Sequence, residues 1–256
     1  MPANKDKCEP QMMDVEYEAG HILTEYARSR VCSMGGVGTG NVLRARGQAF
    51  IVTAKHVAEE FFKLKRPRII FRDNYKVPSQ QLNYVSSTDD NLDIALIAVH
   101  DLNPGVLSYN YRDFEFIDDF RKYNFDRVNL QVCGFPKQLQ HRTQNDLLYS
   151  WMRYTTTPCV NPPATKEFLF CHYPMNSPVR NSRTRDEVAL PAAPGLSGAF
   201  ILKIPTQADQ SESIGSPTAA KVIAVQVAWD KRTYMKCSNI IHVKPMLCKA
   251  KVLHDG

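Results

Sequence analysis

Residues 52–57 have the sequence Val-Thr-Ala-Lys-His-Val, in which an apolar, β-branched stretch leads to a histidine. Two further segments complete the pattern: Leu-Asp-Ile-Ala-Leu-Ile at residues 92–97 and Pro-Gly-Leu-Ser-Gly-Ala at residues 194–199. Each segment places one residue type of nucleophilic catalysis, His56, Asp93 or Ser197, beside an apolar stretch. A serine hydroxyl is activated when a histidine accepts its proton and a buried carboxylate orients that histidine. The three segments together therefore predict a hydrolytic site.

The order His, Asp, Ser along the chain is that of the chymotrypsin type, and the residues resemble the motifs of trypsin-like serine peptidases. In that family the histidine follows Thr-Ala-x, as in 53–56, and the aspartate begins Asp-Ile-Ala-Leu, as in 93–96. The nucleophile lies in Gly-x-Ser-Gly, as in 195–198. The resemblance spans roughly residues 36–246. It implies an all-β fold of two six-stranded antiparallel β-barrels, with the active site in the cleft between them.

The same resemblance assigns the catalytic roles in a serine endopeptidase. Ser197 is the expected nucleophile, His56 the general base and Asp93 the group that orients His56. Asp89 and Asp90 also lie nearby, but only Asp93 is followed directly by an apolar run that holds its carboxylate at the edge of a core. The backbone N–H groups of Gly195 and Ser197 are the expected oxyanion hole.

The predicted substrate contacts come from two segments of the second half of the chain. Residues 226–228, which are Gln226, Val227 and Ala228, are expected to hold an extended substrate backbone by β-augmentation. Pro191 falls near the base of the primary pocket, where Ala228 forms part of the wall. Neither side chain is charged, so we expect a small or apolar residue before the scissile bond.

One departure from the family bears on regulation. Digestive members have an aspartate directly before the nucleophile, which pairs with a new N-terminal amine after zymogen cleavage. Leu196 occupies that position here and cannot form the ion pair. We therefore expect no activation by N-terminal insertion, as in bacterial or viral members. The chain is then either constitutively competent or switched by loop order or a partner. Because an uninhibited intracellular peptidase would be hazardous, we further expect gating by a protein partner or by the loops at 176–187 and 205–220.

Composition and charge agree with a β-rich enzyme that acts on protein. The chain has 256 residues, of which 43% are hydrophobic, together with 16 Pro and 12 Gly. This suits two small barrels rich in short strands. The net charge of +6 is spread along the chain, and the one dense basic cluster, at 63–68, is expected to solvate a surface loop. No aromatic-basic module accompanies this cluster, so nucleic acid is not an expected partner.

The cysteines and the N-terminus suggest a compartment. The seven cysteines, an odd number, include no C-x-x-C pair, so we expect neither zinc nor any other metal or cofactor. No apolar run is long enough to cross a membrane and the N-terminus has no apolar signal core, so no membrane partner is expected. A cytoplasmic protein with free thiols is the predicted setting, although a chain cut from a longer precursor would look the same.

The chain is predicted to divide into four parts: a polar lead-in at 1–20, a first barrel at 21–105, a connector at 106–127 and a second barrel at 128–256. A short helix or strand is expected at 21–30 and a short helix at 114–123. Residues 37–43 and 48–53 are expected to form a hairpin that ends near His56. Further strands are expected at 68–71, 82–85, 94–99, 128–134, 151–156, 167–171, 200–204 and 221–229, with a loop at 176–185.

Two alternative functions fit parts of the pattern. The segment Gly-Leu-Ser-Gly-Ala at 195–199 approaches the G-x-S-x-G of α/β-hydrolase esterases, with Asp230 and His242 downstream. That fold requires a helix directly after Ser197, whereas residues 200–204 favour a strand. The other alternative is a catalytically silent chymotrypsin-like module that binds protein.

Overall fold

The computed structural model describes residues 30–45, 48–71, 76–78, 82–86, 89–100, 120, 130–142, 147–149, 151–174, 178–180, 186–203, 221–231 and 233–252. The predicted lead-in, the segment 21–29, the loop at 205–220 and all of the connector except residue 120 lie outside these residues. Within the described part of the chain, no helix is long and apolar enough to span a membrane.

The first half forms one curled antiparallel sheet with an adjoining helix. Its strands occur in the order β5-β4-β1-β2-β3-β7-β6. The helix α1, Lys55–Lys63, follows β3 directly and buries Val57, Ala58 and Phe61. The strand bounds are β1 Val31–Met34, β2 Gly38–Ala45, β3 Gln48–Ala54, β4 Arg68–Ile70, β5 Lys76–Pro78, β6 Leu82–Ser86 and β7 Ile94–Val99.

The predicted hairpin of 37–53 is confirmed as β2 and β3, which pair from Asn41 opposite Val52 to Ala45 opposite Gln48. On its other side β3 pairs with β7, and every residue of β7 is buried. Such uninterrupted apolar runs are typical of strands covered on both faces. The sheet has seven strands rather than six because the three-residue strand β5 pairs with β4 at one edge.

The second half forms a six-stranded antiparallel sheet in the order β11-β8-β15-β16-β17-β12, with two small hairpins beside it, β9 with β10 and β13 with β14. Beyond its strand ends the sheet closes, since Cys159 N–H donates to Phe170 O at 2.7 Å and His172 N–H donates to Thr157 O at 3.0 Å. The bounds are β8 Leu130–Gly134, β9 Gln140–Arg142, β10 Leu147–Tyr149, β11 Met152–Thr156, β12 Phe168–His172, β13 Pro178–Arg180, β14 Glu187–Ala189, β15 Phe200–Lys203, β16 Lys221–Trp229 and β17 Tyr234–Asn239.

The all-β prediction is confirmed, and with it the rejection of the esterase alternative. The segment after Ser197 continues into the strand β15, which pairs with β16 as the predicted hairpin. No helix follows Ser197 there, so the nucleophile elbow of an α/β-hydrolase is excluded. The hairpin strand β13 lies in the segment predicted as a loop, because three residues are too few to give a periodic pattern.

Two apolar clusters fill the interior. The larger one contains the buried faces of β3, β7 and α1. It also includes Val243, Met246 and Ala250 from the C-terminal helix α2, Val243–Val252. The helix α2 thus follows the second sheet in sequence but packs on the first. The smaller cluster surrounds Tyr173 in the second sheet and includes Leu196, the residue before the predicted nucleophile.

Candidate active site

The register of two neighbouring strands brings His56 and Asp93 together. Ala54 at the end of β3 lies opposite Ile94 at the start of β7. The ladder continues by one more bond, in which Lys55 N–H donates to Asp93 O at 2.9 Å. The chain then turns into α1, so His56 leaves the strand directly beside Asp93. The juxtaposition therefore follows from strand pairing rather than from loop geometry.

The Asp93 carboxylate holds His56 through two atoms. Its Oδ2 lies 2.7 Å from His56 Nδ1, and its Oδ1 accepts the backbone N–H of His56 at 3.0 Å. The second bond satisfies one of the free N–H groups at the start of α1, which otherwise has no side-chain cap. Asp93 adopts a left-handed backbone conformation, φ 49°, which aspartate tolerates better than most residues.

The contact with Asp93 fixes the protonation pattern of His56. An ionised carboxylate only accepts hydrogen bonds, so Nδ1 is the protonated nitrogen and Nε2 of the neutral ring is free to accept a proton. The hydrogen bond to Asp93 raises the pKa of His56 above its ordinary value of 6.5; partial burial opposes this shift, and the charges of Asp93, Glu60 and Glu59 add to it. The side chain is 45% exposed, so a substrate can reach it.

The loop around Ser197 is held by its carbonyl groups. All five consecutive carbonyls from Pro194 to Gly198 accept hydrogen bonds. The donors are Lys137 N–H to Pro194 O at 2.8 Å, Thr39 Oγ1 to Gly195 O at 2.7 Å, Ala199 N–H to Leu196 O at 2.8 Å, Thr39 N–H to Ser197 O at 2.9 Å and Asn41 Nδ2 to Gly198 O at 2.6 Å. Three of these five donors belong to β2 of the first sheet. The first sheet therefore determines much of the loop's shape.

Two N–H groups remain unpaired in this loop. Leu196 N–H donates to Ala193 O and Gly198 N–H to Gln226 O. Within the described residues, the N–H groups of Gly195 and Ser197 have no acceptor. In a trans peptide the N–H points opposite to the preceding carbonyl. The anchored carbonyls of Pro194 and Leu196 therefore direct these two free N–H groups away from the protein atoms that hold the loop.

Glycine is required at two positions of the loop for different steric reasons. Gly195 has φ +97°, and a Cβ there would lie 2.4 Å from Phe135 O. Gly198 has φ +94°, and a Cβ would lie 1.9 Å from Thr39 O and 2.3 Å from Thr53 Oγ1. Positive φ values are unfavourable for residues with a Cβ. The loop thus depends on both the conformational freedom and the small size of glycine.

The same contacts bring Ser197 close to the segment that carries His56. Gly198 packs against Thr53 and Ala54 at the end of β3. Gly38 of β2 lies between the two regions, since a Cβ there would be 2.9 Å from Ser197 O and 2.5 Å from Val57 Cγ2. In the part of the chain that is described, neither Ser197 Oγ nor His56 Nε2 makes a hydrogen bond. Catalytic hydrogen bonds are often long before substrate binds.

The residues predicted to contact substrate lie along the end of β16 and beside the loop. Gln226 is buried, and its backbone is used within the protein, since it donates to Ala199 O at 2.8 Å and accepts from Gly198 N–H at 2.7 Å. Its side chain donates to Ala228 O at 2.9 Å. Val227 is buried and Ala228 is exposed. Of the three, Ala228 alone is therefore open to solvent.

The segment around Pro191 is held from two sides. Pro191 O accepts the hydroxyl of Tyr173 at 2.7 Å, and Ala192 N–H donates to Gln138 Oε1 at 2.6 Å. Pro191 itself is half-buried. These bonds fix the backbone that leads into the Ser197 loop.

Sequence reasoning missed Thr39 and Asn41. Their contacts with the loop join residues 156 and 157 positions apart in the chain, which no local pattern reveals. One signal is present: two polar side chains lie in the first half of β2, directly before the apolar residues Val42 and Leu43. Both are buried, and buried polar groups require partners.

The buried cysteines are poor candidates for an alternative nucleophile. Burial raises the pKa of the Cys133 thiol to about 12 and that of Cys159 to about 11, whereas thiol nucleophiles need a low pKa. Six cysteines of the described chain are free, and all but Cys248 are buried. Among the described residues, no group of three or more His, Cys, Asp or Glu side chains has the arrangement of a metal site.

Comparison with known proteins identifies the fold. No protein-family model and no curated protein sequence matches the chain. Its structure is similar to that of neuropsin, a serine protease expressed in the limbic system of mouse brain, with a TM-score of 0.51 and 9% identity over 88% of this chain and 96% of that one. The described sheets thus have a chymotrypsin-like fold.

Two other solved structures are also similar. One is the inactive form of the Rv3671c protease, with a TM-score of 0.49 and 14% identity over 97% of this chain and 98% of that one. The other comes from work on the coupled folding and binding of the intrinsically disordered Sesbania mosaic virus VPg protein. Its TM-score is 0.44, with 13% identity over 84% of this chain and 87% of that one.

Proposed function

We propose that the chain is a serine endopeptidase that cleaves peptide bonds through an acyl-enzyme intermediate. The observation that carries the proposal is the pairing of His56 Nδ1 with Asp93 Oδ2 at 2.7 Å, together with a loop in which the N–H groups of Gly195 and Ser197 have no acceptor among the described residues. The first feature prepares a base and the second prepares an anion-binding site. The fold similarity to neuropsin, a serine protease, supports the same reaction class.

In the proposed mechanism Ser197 Oγ attacks the substrate carbonyl carbon while His56 Nε2 takes the hydroxyl proton. The carbonyl π electrons move to oxygen, and the N–H groups of Gly195 and Ser197 stabilise that oxyanion; one such donor is typically worth about 2.7–4 kcal/mol. His56 then gives its proton to the departing amine as the C–N bond breaks. Water hydrolyses the acyl-enzyme by the reverse set of proton transfers.

The proposed substrate is an extended polypeptide. Its backbone pairs with the end of β16 at Val227 and Ala228, of which Ala228 is the exposed member. The backbone N–H and carbonyl of Gln226 are already bonded to Ala199 O and Gly198 N–H, so Gln226 does not pair with the substrate backbone. Pro191 lies at the base of the primary pocket, and a small or apolar side chain occupies that pocket. The absence of charge at Pro191 and Ala228 supports this preference.

The setting we propose is the cytoplasm, with activity gated by a protein partner or by the loops at 176–187 and 205–220. The free cysteines of the described chain fit a reducing compartment. Leu196, which is fully buried, fits a loop that is ordered without a new N-terminal amine. Full activity of the purified chain on unstructured proteins would reject the gating proposal.

The direct test is labelling with a fluorophosphonate probe, followed by mapping of the modified residue. We expect the wild type to be labelled at Ser197, and Ser197→Ala and His56→Ala to lose the label. Ser33→Ala is the matched control, because it removes another buried serine hydroxyl of the chain outside this loop and should be labelled normally. A folded wild-type protein that resists labelling would reject a constitutively active peptidase and leave two readings, a silent protein-binding module or a peptidase that is latent until its partner binds.

A further inference from the structure

We propose that Thr39 is a positioning residue for the oxyanion hole: its hydroxyl fixes the Gly195–Leu196 peptide and thereby aims the N–H groups of Gly195 and Ser197. The catalytic part of this inference rests on the proposed peptidase function, whereas the structural part does not.

The Thr39 hydroxyl both donates and accepts a hydrogen bond. Its Oγ1 donates to Gly195 O at 2.7 Å and accepts from Phe135 N–H at 3.0 Å. It therefore links the Ser197 loop to the segment after β8. The residue is fully buried, so water has no ready access to replace either bond.

The Thr39 hydroxyl can orient both free N–H groups because of where the Gly195–Leu196 peptide lies in the loop. The Gly195–Leu196 peptide lies between the two peptides that carry the free N–H groups of Gly195 and Ser197. Each peptide is planar, so its orientation is set by the φ and ψ angles at its ends. Holding Gly195 O restricts ψ of Gly195 and φ of Leu196. At Gly195, with φ +97°, no Cβ limits rotation, so the peptide is held by its two hydrogen bonds, from Thr39 Oγ1 to Gly195 O and from Leu196 N–H to Ala193 O.

The backbone of Thr39 also connects the Ser197 loop to the strand β3, which leads to His56. Its N–H donates to Ser197 O at 2.9 Å. Its carbonyl accepts the hydroxyl of Thr53 at 2.7 Å, and Thr53 belongs to the strand that leads to His56. Thr39 thus contacts both ends of the proposed hole and the element that carries the proposed base.

Removal of the hydroxyl should affect the transition state more than substrate binding. Valine has nearly the same shape as threonine, so Thr39→Val leaves Gly195 O and Phe135 N–H without partners while filling the same space. The proposed substrate edge on β16 is untouched. We therefore expect a lower kcat with little change in KM, which is the signature of an interaction made only in the transition state.

The first measurement is amide hydrogen exchange, which needs no activity. In Thr39→Val the Leu196 amide should exchange faster by about tenfold relative to Val225 in β16, as expected for the loss of one hydrogen bond. Thr39→Ser, which keeps the hydroxyl, should exchange like the wild type. The control is Thr156→Val, the same change at a buried threonine whose hydroxyl bonds to His172 O at 2.5 Å; it should leave Leu196 unchanged.

The second measurement is steady-state hydrolysis of a peptide. Thr39→Val should lower kcat by about 10²-fold and change KM by less than about twofold, and Thr39→Ser should restore kcat. Equal kcat values in Thr39→Val and the wild type, or unchanged exchange at Leu196, would overturn the inference. If Thr39→Val does not fold, Thr39→Ala serves in both comparisons. An inactive wild type would reject a constitutively active peptidase, yet the exchange result would still decide whether Thr39 holds the loop.

Discussion

The two halves of the candidate site are held by different kinds of interaction. On the histidine side, one charged pair between His56 and Asp93 provides the orientation, and both side chains are partly exposed, at 45% and 25%. On the serine side, neutral hydrogen bonds from three backbone N–H groups and two side chains hold the carbonyls from 194 to 198, and Gly195 and Gly198 are buried.

Because of this difference, the two halves of the site are sensitive to different kinds of change. A charged, solvent-accessible pair responds to pH and to loss of charge, but has room for changes of shape. A loop held by neutral hydrogen bonds and closely packed at two glycines does not respond to pH, but it has no room for extra atoms. Electrostatic changes should therefore disable the first half selectively, and steric changes the second.

The largest expected effect is steric. Gly198→Ala places a methyl group 1.9 Å from Thr39 O and puts alanine at a positive φ. Overpacking and the unfavourable conformation together cost about 2–5 kcal/mol, a large share of the ~5–15 kcal/mol of a typical domain. We therefore expect a much lower urea concentration at the midpoint of unfolding, as monitored by circular dichroism.

The control for this change is Ser197→Ala, which alters the neighbouring residue without adding atoms and should unfold near the wild-type midpoint. A Gly198→Ala protein as stable as the wild type would show that the loop is looser than the contacts indicate.

The second effect is electrostatic and should lower activity while the protein stays folded. Asp93→Asn keeps the shape of the side chain but replaces one of its two acceptor oxygens with an amide NH2 group, which donates and cannot accept the proton of His56 Nδ1. The wrong tautomer of His56 follows, and kcat should fall by about 10⁴-fold. Asp90→Asn is the matched control, because Asp90 is an exposed carboxylate bonded to Lys55 and should leave kcat unchanged. Similar losses in both variants would contradict the role of Asp93.

The smallest effect is the pH dependence. Because Asp93 raises the pKa of His56 above 6.5, the rising limb of kcat/KM should lie above pH 6.5. The stabilisation from the protonated pair is complete below that pH and is lost as pH rises through the raised pKa. NMR titration of His56 gives the pKa directly, and Asp93→Asn should lower it. A His56 pKa at or below 6.5 in the wild type would show that the pair is not formed in solution.

The parts of the fold that the sequence predicted are those governed by local patterns. The strands β3 and β7 were evident because uninterrupted apolar runs mark central strands. The strands β5 and β13 have only three residues each, too few for a period. The helix α2 was missed because Pro245 stands near its start, although proline is tolerated in a first helical turn.

The candidate site divides in the same way. The pairing of His56 with Asp93 could be anticipated, because both residues flank strands that any antiparallel sheet of this order places side by side. The bonds of Thr39 and Asn41 to the Ser197 loop could not, since they depend on how two sheets meet. A pattern in one strand contains no information about a partner 156 residues away.

The bonds between β2 and the Ser197 loop also have a consequence for synthesis. The ribosome makes β2 before the loop, which follows 156 residues later, and domains tend to fold as the chain emerges. We therefore expect the first sheet to form before the segment that carries Ser197 has been made. A nascent chain that has not reached the loop has β2 without its bonding partner, so the proposed activity appears only after the Ser197 loop has been made.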